Sequence, residues 1–380
     1  MSNQIILFGA TGFTGHLIAE ALVRRNIRPI LAGRSRDKLT SLAARLGGLE
    51  IRVADVTRPE TVDALVSKGD ILITTVGPFV QHGRAALTSC IKKGAHYLDS
   101  TGEPSFIREV FEHYDAPARE AGITLVTAFG YDYVPGNCVA AAALEQAGEV
   151  ATRVDVGYYA LGPFSAASMS QGTRASVMGA TLDPGVFFAR GSKRVKFGVA
   201  KVRRFTVQGA RKPAAAVPGS EHLALPQSYA QLRDINTYLG WFGAVSYLMP
   251  LLVLLQAVLF KIPGYRALLA IFAHRFGRSD GRGPDANLRA KTGSYVIAEV
   301  YSEAGEELSQ SVLQGANPYD FTAEILAWGA AQGQKQGFIA TGALGPVAAF
   351  GLESLIQGCT EAGLELTPKL APSRLHATDH

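Results

Sequence analysis

The sequence predicts an α/β protein: a doubly wound parallel sheet, followed by a second α+β domain built on a mainly antiparallel sheet. Three observations carry this. From residue 5 to about 130, short apolar runs alternate with stretches of helical periodicity, as in chains whose helices cover both faces of a parallel sheet. After Pro135 the composition shifts toward glycine, β-branched and basic residues that alternate as half-exposed strands do. At 380 residues the chain also exceeds the ~250–300 at which one hydrophobic core stops growing, so a division into 1–135 and 136–340 is expected.

Each element has its own start and stop chemistry. Ile5–Phe8 is a short apolar run ending in glycine, the form of a strand buried on both faces. Leu17, Ile18, Ala21 and Leu22 recur at helical spacing after Gly12, and Arg24, Arg25 and Asn26 close that helix. Pro29–Gly33 is the second strand. Ser35 then stands where an N-cap belongs, Leu39, Leu42, Ala43 and Leu46 form one face, and Gly47-Gly48 stops the helix. The unit repeats with a strand at Ile51–Ala54, a helix opened by Thr57 with Glu60 as a capping box, and a strand at Asp70–Val76. Strands follow at His96–Asp99 and Ile123–Phe129, separated by helices near 81–93 and 104–121. Beyond Pro135, residues 153–159 and 193–199 read as strands. Further strands near 293–300 and 308–315, a helix over 320–333 and a helix after Gly345-Pro346 complete the pattern, with a frayed tail beyond Leu370.

Composition narrows the function. Apolar residues make up 47% and charged residues 18%, below the ~25% usual for soluble domains, which excludes disorder and a highly charged nucleic-acid binder. The net charge of +5 is mild and suits anionic ligands such as phosphates, thioester carriers or lipid headgroups. Cys90, Cys138 and Cys359 are odd in number and far apart, so neither a disulfide framework nor a zinc site is expected, and a reducing cytoplasm fits. The N-terminus runs into a strand with no basic leader, so no secretory signal is expected.

Two segments stand out. Between Asp183 and Glu221 there is no acidic residue, while Arg190, Lys193, Arg194, Lys196, Lys201, Arg203, Arg204, Arg211 and Lys212 are basic; this is a solvated strand face or a landing surface for an anionic carrier or membrane. Residues 235–260 carry no charge. Gly240, Gly243, Pro250 and Gln256 argue against a membrane span there, leaving a helix pair that lines an apolar substrate cavity or lies in a membrane interface.

The chemistry begins at Gly9-Ala10-Thr11-Gly12-Phe13-Thr14-Gly15, between the first strand and the first helix. Gly9 permits the tight turn, Gly12 lets backbone approach a pyrophosphate and Gly15 permits close helix–sheet packing, an arrangement of Rossmann type. The second strand ends about twenty residues later at Gly33-Arg34-Ser35. An acidic residue there would bind a ribose 2′-hydroxyl; Arg34 and Ser35 instead suit a 2′-phosphate, so NADP(H) is expected rather than NAD. Asp55, with Val56 beside it, ends the third strand, where it meets the adenine edge or caps a helix. Thr75, Val76, Gly77, Pro78 and Phe79 end the fourth, on the nicotinamide side.

These motifs together, GATGFTG (9–15), LAGRS (31–35), VGPF (76–79), HYLDSTGE (96–103), GYDYVPGN (130–137) and the weaker TGALGPVAAFG (341–351), resemble the saccharopine dehydrogenase-type NADP-binding family. Within it the chain is most similar to the branch of trans-acting enoyl reductases and saccharopine dehydrogenase-like oxidoreductases. The resemblance implies NADP(H) binding by the first domain, a sheet-containing domain after it, and a last helix, near 345–365, that returns to the first. Members of this branch are associated with reducing carbon–carbon double bonds of lipid or polyketide intermediates, and the founding branch makes or breaks a secondary amine through an imine. GYDYVP departs from the commoner GFDSIP by tyrosine for serine.

Other chemistries fail on their residues. No tyrosine has lysine four positions later, and no His-Glu-x-x-His or clustered Cys/His set is present, since His376 and His380 stand in the tail; no catalytic metal is expected. Hydride transfer remains, and it needs hydrogen-bond donors and a proton source. Tyr131 is the first candidate as donor or orienting group. Asp132 is next, because the matching aspartate of the imine-forming branch faces substrate, and Glu103 and His82 follow. Each has an alternative: Glu103 as a helix cap, Asp132 as a tie within its turn, His82 as a surface histidine. Cys90 and Cys138, in apolar helical contexts, are expected in the core. The partner expected is a small apolar substrate, free or carrier-bound, and no nucleic acid. Peripheral membrane contact through 235–260, a homodimer, an imine-forming amino-acid dehydrogenase and a non-catalytic membrane-associated dinucleotide-binding protein stay open.

Overall fold

The computed structural model describes residues 3–163, 169–170, 185–196, 201–265 and 283–370. The tail with His376 and His380, residues 197–199 of the expected strand and 279–282 of the Gly/Arg-rich loop lie outside the described residues.

The first unit runs β1 (Ile5–Phe8), α1 (Phe13–Arg24), β2 (Ile30–Gly33), α2 (Arg36–Arg45), β3 (Ile51–Val53), α3 (Pro59–Asp63), β4 (Ile71–Thr74), α4 (Phe79–Lys93), β5 (His96–Asp99), α5 (Pro104–Glu109), α6 (Asp115–Glu120) and β6 (Thr124–Val126). Helix α7 (Val134–Ala147) leads out of it. The second unit continues with β7 (Ala151–Leu161), β8 (Gly185–Ala189), β9 (Ser192–Lys196), β10 (Val202–Val207), β11 (Ala210–Val217), α8 (Glu221–Ser228), β12 (Asp234–Leu239), α9 (Met249–Leu259), α10 (Ala286–Ala290), β13 (Gly293–Ser302) and β14 (Glu307–Gly315). The chain ends through α11 (Pro318–Gln336), β15 (Gly342–Ala343), α12 (Pro346–Phe350), α13 (Leu352–Glu361) and β16 (Leu364–Leu370).

The first sheet is parallel throughout, in the order β15-β6-β5-β4-β1-β2-β3. Strand order therefore reverses beside β1, which opens a crevice at the carboxyl ends of β1 and β4. β1, β2 and β4 are fully buried because helices cover both faces. The second sheet runs β10-β11-β12-β7-β13-β14-β16, with β8 and β9 attached to β12; β12 and β7 are parallel and the other pairs antiparallel.

Helix α7 sits at the junction and packs on β7, β13 and β14. It is buried on every side from Val134 to Leu144, as a helix enclosed by other elements must be, and its alanines let it lie close to the sheet. The two units share their last elements. α11 covers α1, β4 and β5, although a boundary at 340 would assign it to the second unit, and β15 adds to β6. The helical segment after Gly345 forms α12 and α13, which pack on α7, α8 and α11.

Three expectations are corrected. Residues 235–260 are not a helix pair. Their first part is β12, between β11 and β7, whose uncharged residues meet both sheet neighbours and the core. α9 begins only at Met249 and buries none of its residues, with Leu251 64% and Leu254 63% exposed, so it lines no enclosed cavity. No helix among the described residues is long and apolar enough to cross a membrane. The Thr57–Glu60 capping box does not form: α3 starts at Pro59, and Thr57 donates its amide and its hydroxyl to Asp55 Oδ1 at 2.9 and 2.8 Å. The basic stretch is not one solvated face either. β9 is exposed, but Arg203 turns inward and pairs with Asp155, Glu299 and Tyr301 on the outer face of the second sheet.

Candidate dinucleotide and substrate site

The glycine turn is shaped by what surrounds it. Gly9 holds φ +90°, a left-handed value that favours glycine, and a side chain there would run into the Thr75 hydroxyl. Thr75 Oγ1 instead donates to Gly9 O at 3.2 Å, which joins the end of β4 to the turn. A Cβ at Gly15 would overlap the Gly9 carbonyl, whereas one at Gly12 meets only that carbonyl, at 3.3 Å. Gly12 precedes α1, whose first turn has neither a side-chain cap nor an acidic residue, so Phe13, Thr14 and their neighbours present amides to an anion. Phe13 itself is seated by the second unit: its ring meets Tyr319 edge-on at 5.3 Å and carries the Arg289 guanidinium at 5.9 Å.

At the end of β2, Ser35 is the N-cap residue of α2, yet its hydroxyl makes no cap bond. Arg34 is exposed beside it and contributes to holding the Asp55 carboxyl below the usual carboxylate range, after the larger effect of the Thr57 hydrogen bonds. Asp55 therefore closes its own turn, with Val56 half-buried behind it. A cleft of about 370 Å³ opens beside Thr11 between α1 and α2, lined also by His16, Lys38, Ser41 and Arg45. Sequence reasoning misses Lys38 and Arg45, because a cation on an exposed helix face has no local signature. An uncapped helix start, a crowded glycine turn and the cations and hydroxyls beyond β2, where Arg45 meets His16 Nε2 at 2.6 Å and Asp37 also lines the cleft, fit a dinucleotide with a 2′-phosphate.

The carboxyl ends of β4, β5 and β6 are tied together by buried carboxylates. Gly77-Pro78 is a cis peptide, after which Phe79 packs on Phe106 at 5.6 Å. Glu103 accepts the amides of Phe79 and Val80, and Asp99 accepts the amides of Thr101 and Ala128 and the hydroxyl of Thr127, at 2.8–2.9 Å. Burial pushes Asp99 up to about 6 despite those donors. Val76, whose amide meets Thr74 Oγ1 at 3.3 Å, completes this rim.

The candidate catalytic residues separate here. Tyr131 is buried in the core with its ring edge-on to Tyr158 at 5.7 Å, beside Ser294, and burial raises its phenol, so it stays protonated. Asp132 is half-buried with a carboxylate oxygen against Gly102, and burial pushes it up to about 6, where a carboxyl exchanges a proton near neutrality. Glu103 is engaged at the start of α4. His82 is half-buried one turn into α4, and no described hydrogen bond joins it to Tyr131 or Asp132. Behind Asp132 lies a group with no signal in the local sequence: Glu221, fully buried, whose Oε1 accepts the Tyr158 hydroxyl at 2.6 Å. Cys90, Cys138 and Cys359 are buried free thiols.

Residues 5–126 match the family described as saccharopine dehydrogenase NADP binding domain. Over these residues the first unit is similar to the NADP-binding domain of saccharopine dehydrogenases. Two curated relatives are similar over 140 residues: trans-acting enoyl reductases of Mycobacterium ulcerans, 36% identical, and of Mycobacterium leprae, 37% identical. Each match covers 35% of this chain and 34% of the relative, so the chain aligns with about a third of the length of these relatives. Among solved structures, saccharopine dehydrogenase (L-Glu forming) from Saccharomyces cerevisiae superimposes over 97% of this chain and all of its own, with a TM-score of 0.59 at 14% identity. That likeness extends the shared fold beyond the first unit to the second sheet.

Proposed function

We propose that this protein is an NADPH-dependent oxidoreductase that reduces the carbon–carbon double bond of an apolar acyl, polyketide or enone-like intermediate, presented free or on a carrier. When bound, the cofactor would supply a hydride to Cβ of the conjugated substrate. The chain's own residues do the rest: the turn at 9–15 and the start of α1 hold the pyrophosphate, Arg34 and Ser35 hold the 2′-phosphate, and the Thr75–Phe79 rim faces the nicotinamide. Charge then builds on the carbonyl oxygen and Cα needs a proton.

The observation that carries this reading is Asp132, half-buried at the carboxyl ends of the strands with its carboxyl held near 6. It can give a proton and recover it at neutral pH. The trans-acting enoyl reductases that align with the chain support the substrate class. The test is NADPH consumption across enoyl thioesters, enones and imines, with the product identified by mass. Reduction of enoyl thioesters supports the reading, whereas reduction of imines alone replaces it with the amino-acid dehydrogenase alternative.

A further inference from the structure

Helix α9 is turned inside out for a helix in water. At about 100° per residue, Leu251, Leu252, Leu254, Leu255, Ala257 and Val258 occupy more than half of its circumference, and all six are exposed. Met249, Val253 and Gln256 fall on the other side and are half-buried. The one polar side chain of the helix therefore turns toward the protein while the leucines face outward, the reverse of a surface helix that packs its apolar stripe on a core. Single apolar residues on a surface need no explanation, but this run is continuous. Val245, Tyr247 and Leu248 lead into it and Ile262 follows it, all exposed.

The base of this projection is firmly seated. Trp241 packs against the main core, Ser246 is buried, and the turn over Gly243–Leu248 lies on β11. Cations and aromatic rings stand at both ends of the apolar run. Before it, Arg204 of β10 donates to the Tyr247 hydroxyl and lies over that ring at 5.4 Å. Arg211 pairs with Thr206 across the β10–β11 hairpin, so its exposed side chain shares a face with Arg204. After the run come the exposed Lys261 and the Phe260–Tyr265 ring pair at 6.1 Å. No acidic residue occurs between Asp234 and Asp280, nor along β10 and β11.

An apolar helix rimmed by aromatic rings and cations matches the layers of an anionic bilayer surface: acyl chains for the leucines, the headgroup level for tyrosine, phosphates for arginine and lysine. Length agrees. Eleven residues rise about 16 Å, short of the ~30 Å hydrocarbon core, so the helix lies in one leaflet and does not cross. A protein groove covers a stripe of a helix, whereas acyl chains close around an arc as wide as this one.

We propose that residues 241–265 are a membrane-docking element, which sinks the outer face of α9 into one leaflet of an anionic bilayer and sets Arg204, Arg211 and Lys261 against the lipid phosphates. The element is separate from the reaction and holds whether the substrate is an enoyl thioester or an imine.

The test uses the full chain with vesicles of phosphatidylcholine alone and of phosphatidylcholine mixed with phosphatidylglycerol. In flotation, the mixed vesicles are expected to carry roughly tenfold more protein or greater, with the excess shrinking as salt screens the phosphates. Leu254→Glu combined with Leu255→Glu is expected to abolish flotation while thermal melts and NADPH binding stay at wild-type values, because both side chains are exposed in the free protein. A second readout needs no loss of binding. The three native cysteines are buried, so a thiol-reactive NBD dye reports Leu254→Cys alone, and its emission is expected to rise and shift to the blue on the mixed vesicles. A wild type that stays unbound, equal binding to both vesicle types, a double variant that floats as wild type does, or an unchanged dye overturns the proposal. A wild-type dimer that the double variant dissociates, with no flotation of either protein, overturns it in favour of a second copy of this chain on the same face.

Discussion

Glu103 holds the first turn of α4 by accepting two consecutive amides, those of Phe79 and Val80, each at 2.9 Å. The bond crosses from the end of β5 to the end of β4, so one carboxylate fixes the rim that the proposed function assigns to the nicotinamide. Glu103→Ala leaves both amides without this acceptor and is expected to cost about 2 kcal/mol or more of stability. Urea unfolding of the two proteins checks this; an unchanged midpoint would refute the capping role.

Arg34 and Ser35, whose hydroxyl makes no cap bond, are the residues proposed to hold the 2′-phosphate. Arg34→Ala is expected to weaken NADPH binding roughly tenfold to a hundredfold, as loss of a charge-assisted hydrogen bond does, and to leave NADH binding unchanged. Fluorescence titration with both nucleotides reads the ratio. Should that ratio stay constant, discrimination lies elsewhere, and Lys38 and Arg45 in the neighbouring cleft become the next variants.

Gly12 and Gly15 separate binding from folding. Gly15→Ala forces a methyl into the Gly9 carbonyl and is expected to destabilise by about 1–3 kcal/mol. Gly12→Ala meets no such overlap and is expected to stay within about 0.5 kcal/mol of wild type while losing NADPH affinity, because the methyl occupies the approach to the pyrophosphate. Thermal melts with and without NADPH distinguish the two.

Glu221 also sets a pH dependence of stability. Its carboxyl rises from 4.5 to about 8 on folding, so the folded state holds that proton more tightly than the unfolded chain does. The contribution is complete below 4.5 and is lost as pH rises to about 8. Glu221→Gln cannot ionise, so its urea midpoint is expected to fall less than that of wild type over this window. Parallel curves for the two proteins would show that Glu221 does not titrate there.

Much of the first unit is legible in the sequence, for local reasons. Each strand there is a buried apolar run and each turn carries glycine or a cap, so Gly9, Gly15, Ser35 and the Gly47-Gly48 stop all stand where spacing places them. Thr57 misleads because its hydroxyl has a nearer acceptor in Asp55 than the helix it precedes. In the second unit, β12 is invisible because a strand with neighbours on both edges is as uncharged as a lipid-facing helix. Of the site, Asp132 can be read from its motif. Glu221 and Tyr158 cannot, since they meet each other only across a long excursion of the chain.

The addition of β15 to β6 bears on how the protein comes into being. A ribosome has emitted all six strands that bear the cofactor motifs by residue 126, but the seventh strand of that sheet arrives only at Gly342 and Ala343, after α11 has covered α1. Until then the nascent chain carries an open edge on β6 and a bare apolar helix face, both prone to wrong pairing. A gene fragment ending at residue 135 would retain every motif proposed to hold the nucleotide and still lack the strand and helix that finish the sheet. Expression of such a fragment is expected to yield aggregate, and co-expression with the remainder of the chain to rescue it.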